Sequence, residues 1–136
     1  MITSPYDKYR QSSVQTSNPA QLVIMLYDGA IRFVKTAIEG LAQNDNEKTS
    51  LNLGKAQTII SELMSTLDRS YDISKNLNSL YEYTNYLLVE ANIRKDASKA
   101  QEAVGYLTEL RETWLEASKI AAGQQTSSVS AESAHG

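Results

Sequence analysis

The sequence predicts an all-α protein, an antiparallel up-down-up-down four-helix bundle with an extended N-terminal arm and a disordered C-terminal tail. Three observations predict it. Apolar residues recur at helical spacing in four successive segments. The breaks between segments are short and polar, which makes successive helices antiparallel neighbours. No segment alternates with the period of a strand, so the apolar stripes must bury against one another. The organisation read from this is an arm over residues 1–17, a bundle over 18–122 and a tail over 123–136. The helices fall at about 19–43, 46–68, 74–95 and 97–122.

The first helix opens with Asn18 as N-cap, Pro19 at the first helical position and Gln21 in the capping-box region. At about 100° per residue, Asp28, Arg32, Lys35 and Glu39 share a polar wedge only about 60° wide. Leu22, Val23, Ile24, Leu26, Tyr27, Ala30, Ile31, Phe33, Val34, Ala37 and Ile38 cover most of the rest. A surface helix needs an apolar stripe of about 100° or somewhat more, so this helix carries an excess. Leu22, Leu26, Phe33 and Ala37 are the expected core face.

Asp45 or Asn46 caps the second helix, whose stripe is Leu53, Ala56, Ile60, Leu63, Met64 and Leu67, with Leu51 off the face. Asp72 or Ser74 caps the third. Its main stripe is Leu77, Leu80, Tyr81, Thr84, Leu87, Leu88 and Ala91, and Tyr86, Val89 and Ile93 form a second stripe on the other side. Asp96 caps the fourth, with Ala100, Ala103, Val104, Leu107, Leu110, Trp114, Ala117 and Ala121 inward and Gly123 as its stop. The segment after Gly123 is Ser-rich and short of apolar groups, which predicts disorder.

Composition narrows the function. The chain has 136 residues, a net charge of −3, no cysteine and one histidine, His135. Disulfide and thiolate chemistry are excluded, and one tail histidine with outward carboxylates does not make a metal site. There is no Gly-rich phosphate loop and no nucleophile–base constellation, so no enzyme, cofactor or metal is expected. Scattered basic residues argue against nucleic acid. No apolar run reaches spanning length, and the start has no secretory h-region, so the expected location is the cytosol without membrane insertion.

Binding is what remains. Eight tyrosines against one Phe and one Trp suit surfaces that are wet at one time and covered at another. The excess stripes name the candidate contacts: Val23, Ile24, Tyr27, Ile31 and Val34 on the first helix, and Tyr86, Val89 and Ile93 on the third. Their occupant is an amphipathic partner segment, a second copy of the chain, or the N-terminal arm.

Several blocks resemble the FliS family of flagellin export chaperones. They are Pro5-Tyr6-x-x-Tyr9, Thr16-x-Asn18-Pro19-x-x-Leu22, Met25-Leu26-Tyr27-Asp28-Gly29-Ala30-Ile31, Ala56-Gln57-x-Ile59-Ile60-x-Glu62-Leu63, Asn76-Leu77-x-x-Leu80-Tyr81-x-Tyr83 and Leu88-x-x-Ala91-Asn92. The resemblance spans about residues 5 to 118. It implies a cytosolic bundle without enzymatic activity that binds the disordered C-terminal segment of flagellin. That binding prevents premature polymerisation and precedes delivery to the cytoplasmic domain of the flagellar type III export gate. It further implies that Tyr6 and Tyr9 belong to an arm that packs near the cargo surface, and it supports Tyr27 and Ile31 among the contacts. The alternative is a self-associating bundle, a structural or adaptor homodimer joined through the same stripes.

Overall fold

The computed structural model describes residues 19–135, with side chains from Ala20 to Ile120. Four helices make up this region: α1 Pro19–Ala42, α2 Asn46–Ser65, α3 Asp72–Arg94 and α4 Ala97–His135. Each helix packs on its neighbour in sequence and α4 closes back on α1, while the pairs α1–α3 and α2–α4 do not meet at the backbone. The bundle is therefore square in section, with α1 and α3 on one diagonal. Cross-helix pairs fix the antiparallel sense: Lys55 over the Phe33 ring, Ser50 with Asn92, Tyr83 with Glu102 and Arg111 with Asp28.

The ends of the helices follow local chemistry. Asp45 accepts the Lys48 N–H at 3.0 Å and is the N-cap of α2, satisfying a donor that the first turn leaves open. Asn44 before it adopts φ 55°, a left-handed conformation that asparagine tolerates better than most residues. The cap position of α3 is Tyr71, which makes no side-chain cap bond. Ser74 instead donates from Oγ back to the Asp68 carbonyl, which ties the connector to the helix. Asp96 accepts from both Ser98 N and Ser98 Oγ at 2.9 and 2.6 Å, as its expected capping role requires. Those bonds hold its carboxyl below the ordinary aspartate range.

Two boundaries differ from expectation. α2 ends at Ser65 rather than Asp68, where Thr66 caps its last carbonyls. α4 runs through Gly123 to His135, although the sequence predicts a stop there and a tail beyond. Glycine alone costs about 1 kcal/mol against alanine, and no proline follows to break the hydrogen-bond ladder. The expected cap Asn18 and the arm lie outside the described residues.

The core is one cluster fed by all four helices. It holds Leu26, Tyr27, Ala30, Val34 and Ala37 of α1, Leu53, Ala56, Ile59, Ile60 and Leu63 of α2, Tyr81, Leu87, Leu88 and Ala91 of α3, and Ala100, Ala103, Leu107 and Leu110 of α4. Fully burying a leucine or isoleucine is worth about 1.5–3 kcal/mol. The buried hydroxyls of Thr49 and Thr84 donate to the Asp45 and Leu80 carbonyls at 2.9 and 2.8 Å, so neither is a polar cost.

At the α1–α2 corner the backbones approach closely. A Cβ on Gly40 would stand 2.6 Å from Thr49 Oγ1 and 3.0 Å from Thr49 N. Gly40→Ala is therefore expected to destabilise by about 1–2 kcal/mol, the overpacking penalty less the helix-propensity gain. A urea titration checks it through a lower midpoint at unchanged slope.

Candidate partner-binding surface

The outer face of α3 carries the most exposed apolar surface among the candidates. Ile93 is 72% and Tyr86 52% exposed, with Val89 half-buried between them. The main stripe of α3 is already used by the core, which leaves this second stripe facing outward.

The surface continues onto α4 through a tyrosine that the sequence pattern does not single out. Tyr83 and Tyr86 stack with ring centroids 6.1 Å apart, and Tyr106 of α4 meets Tyr83 edge-on at 5.8 Å. Such tilted and offset pairs suit aromatic quadrupoles. Tyr83 OH donates to Glu102 Oε2 at 2.9 Å. That hydrogen bond to the carboxylate raises the Tyr83 pKa by favouring the protonated phenol. The three rings form a shelf held by a cross-helix bond. The spacing of Tyr83 and Tyr86 is legible in sequence, whereas the addition of Tyr106 needs the α3–α4 register.

The α1 candidates are placed differently. Val23 and Ile31 are half-buried and pack against the core, and Ile24 is also half-buried. Tyr27 and Val34 have no accessible surface. Their assignment to an outer stripe is corrected: the inward face of α1 includes Tyr27, Ala30 and Val34 beside the expected Leu26 and Ala37, and Leu22 and Phe33, also expected on it, are only partly buried. The first and third helices, which carry the two excess stripes, stand on a diagonal with the core between them. Asp28, read as a solvated wedge residue, pairs with Arg111 of α4, which also reaches Glu112 at 3.0 Å. Tyr6 and Tyr9 lie outside the described residues.

Tyr27 spans the core to bond the Tyr81 hydroxyl from across the diagonal, with the rings tilted at 6.4 Å. Burial pushes the pKa of both phenols up, because the charged form loses its water; Trp114 beside them opposes that shift. Both therefore remain neutral hydrogen-bonding groups.

Among the described residues, no group of three or more His, Cys, Asp or Glu could hold a metal ion, and no helix is long and apolar enough to cross a membrane.

The chain matches the family model described as Flagellar protein FliS over residues 2–121. The Flagellar secretion chaperone FliS of Bacillus subtilis (strain 168) is 40% identical over 116 residues, 85% of this chain and 87% of that protein. The protein of the same name from Salmonella typhimurium is 35% identical over 119 residues, 85% of this chain and 88% of the relative. Flagellar secretion chaperone FliSB of Pseudomonas aeruginosa is 31% identical over 113 residues, 79% of this chain and 90% of that protein. With the four-helix architecture and a match across nearly all of the bundle, the chain belongs to the FliS family of flagellar secretion chaperones.

Proposed function

We propose that the protein is a cytosolic, non-enzymatic export chaperone that binds the C-terminal segment of flagellin, keeps it from polymerising prematurely and presents it to the cytoplasmic domain of the flagellar export gate. The observation that carries this is the family match over residues 2–121. The geometry supports a partner that wraps rather than fills one groove. Its apolar contacts are Tyr86, Val89 and Ile93 on α3, with Val23, Ile24 and Ile31 as half-buried contacts on α1 at the opposite corner of the bundle. A segment disordered before binding can follow such separated patches. Its ordering cost keeps affinity moderate enough for later release. Tyr27 and Val34 act in this scheme as the support beneath the α1 contacts. Tyr6 and Tyr9 belong to the arm that covers contacts until cargo arrives.

Pull-down with full-length flagellin and with flagellin lacking its last ~40 residues, a length that as helix would span this bundle, tests the reading. The full-length chain is expected to be retained and the truncated one lost. Equal retention of both would remove the C-terminal segment as the cargo site.

A further inference from the structure

The four seams of the bundle are not equally made. The α1–α4 seam has the Asp28–Arg111 ion pair. The α3–α4 seam has the Tyr83–Glu102 bond and the Tyr83–Tyr106 contact. At the α1–α2 seam Gly40 sits against Thr49. The α2–α3 seam is lined by asparagine. Asn78, Asn85 and Asn92 follow one another at seven-residue steps along α3, which puts them in one row. Asn92 Oδ1 accepts from Ser50 Oγ of α2 at 3.0 Å, so the row lies on the α2 side.

Further along this row the bonding fails. Asn78 Oδ1 and Asn85 Oδ1 are buried and have no hydrogen-bond partner. Asn78 uses its amide nitrogen within α3, donating to Glu82 Oε1 at 2.9 Å. A buried carbonyl oxygen without a donor loses its water and gains nothing in return. Separating α2 from α3 returns both oxygens to water, so this seam opens with less loss than the others. Of the three connectors, the one at this seam, over residues 66–71, is longer than those over 43–45 and 95–96.

We propose that the α2–α3 seam is a built-in opening line, which parts locally in the free protein and whose parting admits the cargo segment to the apolar side chains beneath, Ile60 and Leu63 of α2 and Tyr81 and Leu88 of α3. The cargo half of this proposal rests on the flagellin-binding function; the opening itself does not. It gives the two unpaired oxygens a role, since leucine, with the same branched skeleton as asparagine and no polar atom, would close the seam.

Native-state hydrogen exchange on the full chain tests the opening. Amides of α2 and α3 along the seam are expected to exchange about tenfold faster than buried amides of α1 and α4. Asn78→Leu/Asn85→Leu is expected to abolish that difference and to slow association with flagellin about tenfold, measured by stopped flow. Asn85→Asp, which places a charge in the seam, is expected to speed the exchange. Uniform exchange across the four helices overturns the proposal. Suppressed exchange with an unchanged association rate overturns its cargo half. Failure of the unaltered protein to bind flagellin at all overturns the functional reading, and the exchange comparison still decides the seam.

Discussion

Tyr27→Ala is expected to destabilise the bundle by about 3–5 kcal/mol, the range for removing a large buried aromatic side chain. Domain stabilities lie at about 5–15 kcal/mol, so this one change removes a large fraction of the margin. Three losses combine. The ring leaves a cavity in a fully buried site. Its neighbours across the diagonal lose packing. The Tyr81 hydroxyl loses the partner it has in the core. Conservative variants separate these effects. Tyr27→Phe keeps the ring and is expected to cost about 1–3 kcal/mol for the polar group left behind. Tyr27→Phe/Tyr81→Phe removes both hydroxyls and is expected to cost less than the sum of the two single changes. Urea unfolding followed by Trp114 fluorescence checks all three, because the indole stands beside the pair. Additive single and double costs would show that the two hydroxyls act independently.

Tyr86→Ala combined with Ile93→Asp is expected to do the opposite, leaving the fold and removing the partner. Both side chains are more than half exposed, so the stability change is expected to stay within about 1 kcal/mol, most of it from the lost stacking on Tyr83. Binding is another matter. A few buried aromatic or aliphatic anchors carry most of the affinity in an interface, at about 2–4 kcal/mol each, and the aspartate would be desolvated under cargo. The pair is expected to weaken binding of a flagellin C-terminal fragment at least about thirtyfold by calorimetric titration. A loss under about threefold, with the fold intact, would take the outer face of α3 out of the cargo surface.

These two predictions also mark the limit of the helical wheel. Tyr27 and Tyr86 look alike in sequence, each a tyrosine flanking an apolar stripe. Tyr86 lies outward because the main stripe of α3 already meets the core at Tyr81, Thr84, Leu88 and Ala91. Tyr27 lies inward because the face of α1 turned to the core includes residues on both sides of it. A wheel orders residues around one helix. It does not fix the rotation of that helix in the bundle, which depends on the volumes that the other three helices supply. The same reason hides Tyr106 and Arg111, whose partners Tyr83 and Asp28 come from other helices.

By itself the sequence determined the class and order of this protein. Apolar period, capping residues such as Asp45 and Asp96 and short polar connectors are local signals, and together they specify four antiparallel helices and most of their core. The block pattern from Pro5 to Asn92 also carried the family resemblance. Only the tertiary structure decided which face of α1 is inward, that α1 and α3 stand on a diagonal, and that two asparagine oxygens of α3 are buried without a hydrogen-bond partner. Those properties depend on rotation and register between helices, and they arise when four stripes of unequal width must close around a single core.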